Sequence, residues 1–167
     1  IDKLRRQFSK AEQFEKKEKL LQAVDEYEKV IRSGWPDPDG LKDRARRNLK
    51  NIKEQVGIKT ASLIDEADKL VQNKNYRQAI QNLRRAKSIN PLDDQITDKI
   101  EQYIRELKKE MKVLWDESII EESFGKITPD ESNTGAVGKW KKIQELDIPD
   151  GEFHQKAKIK LRKYGVH

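Results

Sequence analysis

One short pattern occurs three times in this sequence, and its spacing limits the architectures open to the chain. Ala79-Ile80, Leu83 and Ala86 read like Ala23-Val24, Tyr27 and Val30, and like Ala136-Val137, Trp140 and Ile143. Each run is small then aliphatic, then large, then apolar again, and each is followed by a proline: Pro91, Pro36 and Pro149. Ala23 to Ala79 is 56 positions and Ala79 to Ala136 is 57. Apolar residues three and four apart mark one face of a helix. Self-similarity at a nearly constant period points to stacked supersecondary units rather than one irregular core.

The rest of the chain keeps the helical period. Leu4, Phe8, Ala11 and Phe14 mark a first helix over about 2–17, and Leu20 to Ile31 a second. The stretch SGWPDPDG, Ser33 to Gly40, stops it, and Asp39 is placed to cap the next helix. Leu41, Ala45, Leu49 and Ile52, then Ala61, Ile64, Ala67 and Leu70, follow on either side of Gly57. They form one long helix or two, since an interior Gly costs only about 1 kcal/mol. The run from Ile96 to Ile119 meets no breaker before Gly125. A loop with a helix start at Pro129 leads to the helix of Val137 to Leu146, and a last helix carries Phe153, Ala157, Leu161 and Tyr164. No segment alternates with strand period.

These residues resemble the tetratricopeptide repeat, a helical hairpin with a Trp-Leu-Gly-Tyr first helix, an Ala-x3-Phe second helix and a closing Pro. In the middle unit Leu63, Ala67 and Leu70 stand at the first-helix positions, Tyr76, Ala79, Leu83 and Ala86 at those of the second, and Pro91 closes it. Glu66 stands where the family usually has Leu. The first unit matches through Ala11, Phe14, Leu20, Ala23, Tyr27 and Val30, the third in its second helix. The C-terminal stretch from Gly138 to Gly165 also resembles the closing segment of bacterial repeat modules attached to signalling domains. The resemblance implies an all-α, right-handed superhelix of such hairpins over 1–167, with units near 1–36, 40–91 and 93–149 and a capping helix over 150–165. The period exceeds the family's, and the excess reads as lengthened first helices at 40–73 and 93–124.

The resemblance further implies a non-enzymatic scaffold that binds another protein, an adaptor, through the inner faces of first helices. In the middle unit those positions are Ala61, Ile64, Asp68, Val71 and Gln72. Ile64 and Asp68 replace the Lys and Asn of the family's carboxylate clamp, so an amphipathic or basic partner segment is the expectation.

Charged residues make up 40% of the chain and hydrophobics 34%, which suits thin apolar stripes on stacked helices better than a thick globular core. The net charge of +6 opens a second reading, nucleic-acid or anionic-surface binding. Its strongest candidate is the basic run Arg44, Arg46, Arg47, Lys50 and Lys53, followed by Arg84, Arg85 and Lys87, and by Lys156, Lys158, Lys160, Arg162 and Lys163. No aromatics suited to base stacking interleave with them. The 30 acidic residues are interspersed with the 36 basic ones, so a solvated surface is the plainer reading.

Enzyme chemistry finds little support. There is no cysteine, and His154 and His167 are the only histidines, so no metal or other cofactor is expected. The carboxylate pairs Asp25-Glu26, Asp93-Asp94 and Glu121-Glu122 read as polar helix faces and helix starts. No phosphate loop, nucleophile elbow or dinucleotide fingerprint occurs. Trp140 falls on the repeat core, whereas Trp35 either packs under its turn or stands exposed as an interface anchor. No apolar run approaches the roughly 20 residues a membrane-spanning helix needs. The cysteine-free composition leans toward a reducing compartment, so the cytoplasm is the expected location. The start at Ile1 rather than Met reads as a fragment of a longer protein.

Overall fold

The structure, a computed structural model, describes residues 1–128 and 135–166. All regular structure among them is α-helical: α1 (Asp2–Lys16), α2 (Leu20–Arg32), α3 (Leu41–Gln72), α4 (Tyr76–Ile89), α5 (Asp94–Ser123), α6 (Gly135–Leu146) and α7 (Glu152–Lys163). The helix start expected at Pro129 lies outside the described residues. Gly57 does not break α3, because the apolar positions on both sides hold the helix together.

The chain forms two compact units, Ile1–Leu63 with Ala86–Leu92, and Ile64–Arg85 with Asp93–His167. In the first, Leu4, Phe8 and Ala11 of α1 share a core with Ala23, Tyr27 and Val30 of α2 and with Leu41, Ala45 and Ile52 of α3. The first part of α3 is therefore the third helix of a three-helix unit. In the second unit α5 plays a double part. Its early residues Lys99 and Tyr103 bond to Asp68 of α3, and its later residue Ser118 packs against Trp140 of α6. The excess length read from the sequence as extended first helices is a covering helix fused to the first helix of the next hairpin.

The turns explain why the period holds. Helices α1, α3, α5 and α7 end in the same motif, with Glu18, Lys74, Gly125 and Gly165 in the left-handed conformation at φ 55°, 60°, 73° and 69°. In each, the N–H of the following residue reaches back five positions to a helix carbonyl: Lys19 to Phe14, Asn75 to Leu70, Lys126 to Glu121 and Val166 to Leu161, all at 2.9 Å. This double-bonded ending satisfies carbonyls the helix leaves orphaned. Glu18 and Lys74 are 56 positions apart, like Ala11 and Ala67, Ala23 and Ala79, or Tyr27 and Leu83, and all six of these core residues are fully buried. The third hairpin has Ser118 and Gly125 only 51 positions after Ala67 and Lys74, while its second helix keeps the longer spacing. The difference is taken up by the connection before α6, in whose first turn the N–H groups of Ala136 and Val137 donate to the carbonyls of Lys126 and Ile127 at 3.0 and 2.9 Å.

Aspartates start the covering helices. Asp37, not Asp39, accepts the N–H groups of Leu41 and Lys42 at 2.7 and 2.8 Å, and Asp93 accepts that of Gln95 at 3.0 Å. Asp39 instead takes the Arg5 guanidinium at 2.7 Å. Asp147 accepts the N–H groups of Ile148 and His154, both at 2.9 Å.

Candidate partner-binding surfaces

Of the residues expected on an inner face, Ala61 and Gln72 are exposed, while Ile64, Asp68 and Val71 are half-buried. Asp68 is engaged within its own unit. It accepts both the Lys99 ammonium, at 2.6 and 2.7 Å, and the Tyr103 hydroxyl, at 2.5 Å. Partial burial pushes this carboxyl up, but the two donors outweigh burial and hold it below its ordinary value. The matching position of the first unit carries Glu12, 3.5 Å from Arg44. Asp68 therefore fastens the first helix of the hairpin to its covering helix.

The basic runs separate in the same way. The Arg44 guanidinium lies 4.9 Å over the Phe8 ring, Arg46 pairs with Asp43, and Lys50 stands 4.0 Å from Glu54, which leaves Arg47 and Lys53 as the cations of this run with no acidic partner among the described residues. Arg84 forks onto both carboxylate oxygens of Asp150. On α7, Lys156 pairs with Glu152 at 2.6 Å, and Lys160 and Lys163 with Glu122 at 2.5 and 3.9 Å. Lys158 and Arg162, on the other side of α7, face a groove shared with Lys141 and Gln144 of α6. Sequence reading grouped the α7 cations as one run and passed over Lys141. The signal available was the i, i+4 spacing of Lys158 and Arg162, but only the packing of α6 on α7 brings in the third cation.

The paired carboxylates other than Asp25 take a structural part. Glu26 is 5% exposed and takes Gln7, Lys10 and Lys29, the lysines at 3.1 and 2.9 Å. Burial pushes its carboxyl up, and the two lysines more than offset this. Asp93 caps α5 with Asp94 in its first turn, Glu121 meets Lys139 at 3.0 Å, and Glu122 is held low by Lys160 and Tyr164 against the effect of burial. Asp147 is the exception: burial raises it, and its hydrogen bonds to Ile148 and His154 only moderate the rise. Its two oxygens are occupied by those backbone donors.

Other grooves are open and shallow. In the first unit, Leu20, Leu21 and Ile89 form an apolar groove edged by Glu18 and Lys19. Trp35 is 37% exposed and lines a groove with Asp25, Glu28, Lys29 and Arg32. In the second unit, Gln78, Gln81, Asn82 and Arg85 face Glu66 and Lys69. Among the described residues no three His, Cys, Asp or Glu side chains gather where they could hold a metal ion, and no helix is long and apolar enough to cross a membrane. His167 lies outside them. No protein-family model matches the chain, and no curated protein or solved structure matches it.

Proposed function

We propose that this chain is a non-enzymatic scaffold of tetratricopeptide-like hairpins that holds a segment of another protein. The observation that carries the reading is the repeated hairpin. The same left-handed turn, the same buried small residue in the first helix and the same buried alanine in the second recur along the chain. Repeats of this kind bury narrow stripes and leave grooves between helices facing solvent. Their function lies in those surfaces.

The test uses the whole chain as bait. Captured proteins are identified, purified and recombined with it, and the complex is measured by titration calorimetry. The scaffold reading expects a defined stoichiometry. It also expects loss of binding in Leu21→Asp or in Ala61→Glu with Gln72→Glu, with helical content retained. The runner-up, nucleic-acid binding, predicts nuclease-sensitive capture that Arg47→Glu with Lys53→Glu abolishes and that falls steeply with salt, as released counterions require. That result would replace the scaffold reading.

A further inference from the structure

In the second unit, the groove between α6 and α7 is lined by Lys141, Gln144, Lys158 and Arg162, with the buried Leu161 and the half-buried Val166. Among the described residues, no carboxylate lines this groove beside its three cations. The three other grooves described above each include at least one, Glu18, Asp25 with Glu28, and Glu66, and so does a shallow groove on α3 lined by Arg46, Leu49, Lys50, Lys53 and Glu54. Glu145 lies one turn after Lys141 on α6 but makes no ion pair with it. Of the remaining cations of the two helices, Lys139, Lys156, Lys160 and Lys163 are paired, and Lys142 makes no ion pair with a described residue.

This sorting has a local cost. Lys158 and Arg162 are one turn apart, and like charges at that spacing oppose the helix by about 0.2–0.5 kcal/mol. The α7 dipole favours cations in its last turn, which accounts for Arg162 but not for Lys141 in the middle of α6. Among the described residues of the unit, no acid pairs with any of the three.

We infer that the α6–α7 groove is a docking site for an acidic protein segment, its carboxylates set against Lys141, Lys158 and Arg162 and an apolar side chain against Val166. The charge of the walls selects acids. The half-buried Val166 selects a chain that sets an apolar group among its acids, because burying it further is favourable only against apolar atoms. A nucleic-acid strand fits less well: the lining has no aromatic ring for a base to stack on, and three cations make no extended phosphate track. The inference rests on the reading of the chain as a scaffold and names the chemistry of one partner.

The experiment is fluorescence anisotropy on the full chain with three probes: a labelled peptide of paired Glu residues flanking Leu, an oligo-dT of equal charge, and vesicles containing phosphatidylserine. The peptide should bind most tightly. Lys141→Glu with Lys158→Glu and Arg162→Glu should weaken it by about tenfold or more, and a charge-swapped Lys-Leu peptide should regain affinity for that variant. Reversal of Arg46, Lys50 and Lys53 to Glu should leave peptide binding unchanged. If the triple reversal does not fold, the Gln versions and amide shift mapping on the wild type replace it, with shifts expected over 141–144 and 158–166. Equal peptide binding by wild type and variant, no peptide binding, or tighter binding of oligo-dT or vesicles would overturn the inference. Any of these would leave the scaffold reading to its own test, since that one does not depend on this groove.

Discussion

The indole N–H of Trp140 donates to the hydroxyl of Ser118 at 2.8 Å, and both residues are fully buried. Ser118 in turn donates to the Trp115 carbonyl at 2.6 Å. The corresponding pairs in the other hairpins are Ala11 with Tyr27 and Ala67 with Leu83. Leu83 has no donor to satisfy. Tyr27 keeps its hydroxyl at the edge, where it donates to Glu15 at 2.6 Å and accepts from Asn48 at 2.9 Å. Where the large residue carries a donor deep in the core, the small one carries an acceptor.

Ser118→Ala should therefore cost about 1–3 kcal/mol, the usual penalty for stranding a buried donor. Trp140→Phe in the Ser118→Ala background should lose less than Trp140→Phe alone, because the stranded N–H is gone. Urea unfolding of the four proteins in this cycle gives the coupling energy. A coupling of zero would mean the indole finds another acceptor.

The left-handed turns predict a gain in stability. A side chain in that conformation costs about 1–2 kcal/mol relative to glycine. Glu18→Gly should raise the unfolding free energy by roughly 1 kcal/mol. Lys74→Gly should gain less, because the Lys74 ammonium also pairs with Glu110 at 2.8 Å. Gly125→Ala should lower stability. Thermal unfolding checks all three, and a loss on Glu18→Gly would show that the turn is not under this strain.

Asp68 gives a pH signature. Its carboxyl lies below the ordinary 3.8 in the folded protein, held there by Lys99 and Tyr103 against partial burial. A lowered folded-state value means stability that is present above the unfolded pKa and lost as pH falls through the folded one. Asp68→Asn should lower stability at neutral pH and flatten the acid limb of a curve of urea midpoint against pH. An unchanged acid limb would show that other carboxylates dominate it.

Asp147 titrates with the opposite sign. Burial raises it, so its contribution is full below the unfolded pKa and declines as pH rises through the raised folded value. A Cβ added at Gly151 would run into the Asp147 carboxylate. Gly151→Ala should cost about 1–3 kcal/mol through overpacking. Asp147→Ala removes that clash but leaves the N–H groups of Ile148 and His154 without their acceptor. The double variant should be less destabilised than the two single losses added together, and calorimetric unfolding decides it. Strict additivity would show that Gly151 does not press on Asp147.

Much of the fold was written along the chain. The helical period fixes which face of each helix is buried, and Ala23, Ala79 and Ala136 are all fully buried as their common pattern requires. The breakers between Ser33 and Gly40 and at Asn90-Pro91 fall where α2 and α4 end. These features are local: period, proline and small residues act through the backbone of their own segment. The choice of Asp37 over Asp39 as the cap of α3 was not legible, because either can reach a helix start and only the position of Arg5 assigns Asp39 elsewhere.

Tertiary structure decided what each side chain is for. The sequence shows Asp68 on one face of α3 but not that Lys99 and Tyr103 of α5 come to meet it. It shows five cations on α7 but not that three meet Glu152 or Glu122 while two turn toward Lys141 of α6. It shows Ser118 as an odd polar residue in an apolar stripe but not the indole that needs it. The reason is common to all three. Helix and turn follow from neighbours a few residues apart, whereas the partner of a charge or a buried donor is set by which helices pack together, and that pairing joins positions tens of residues apart.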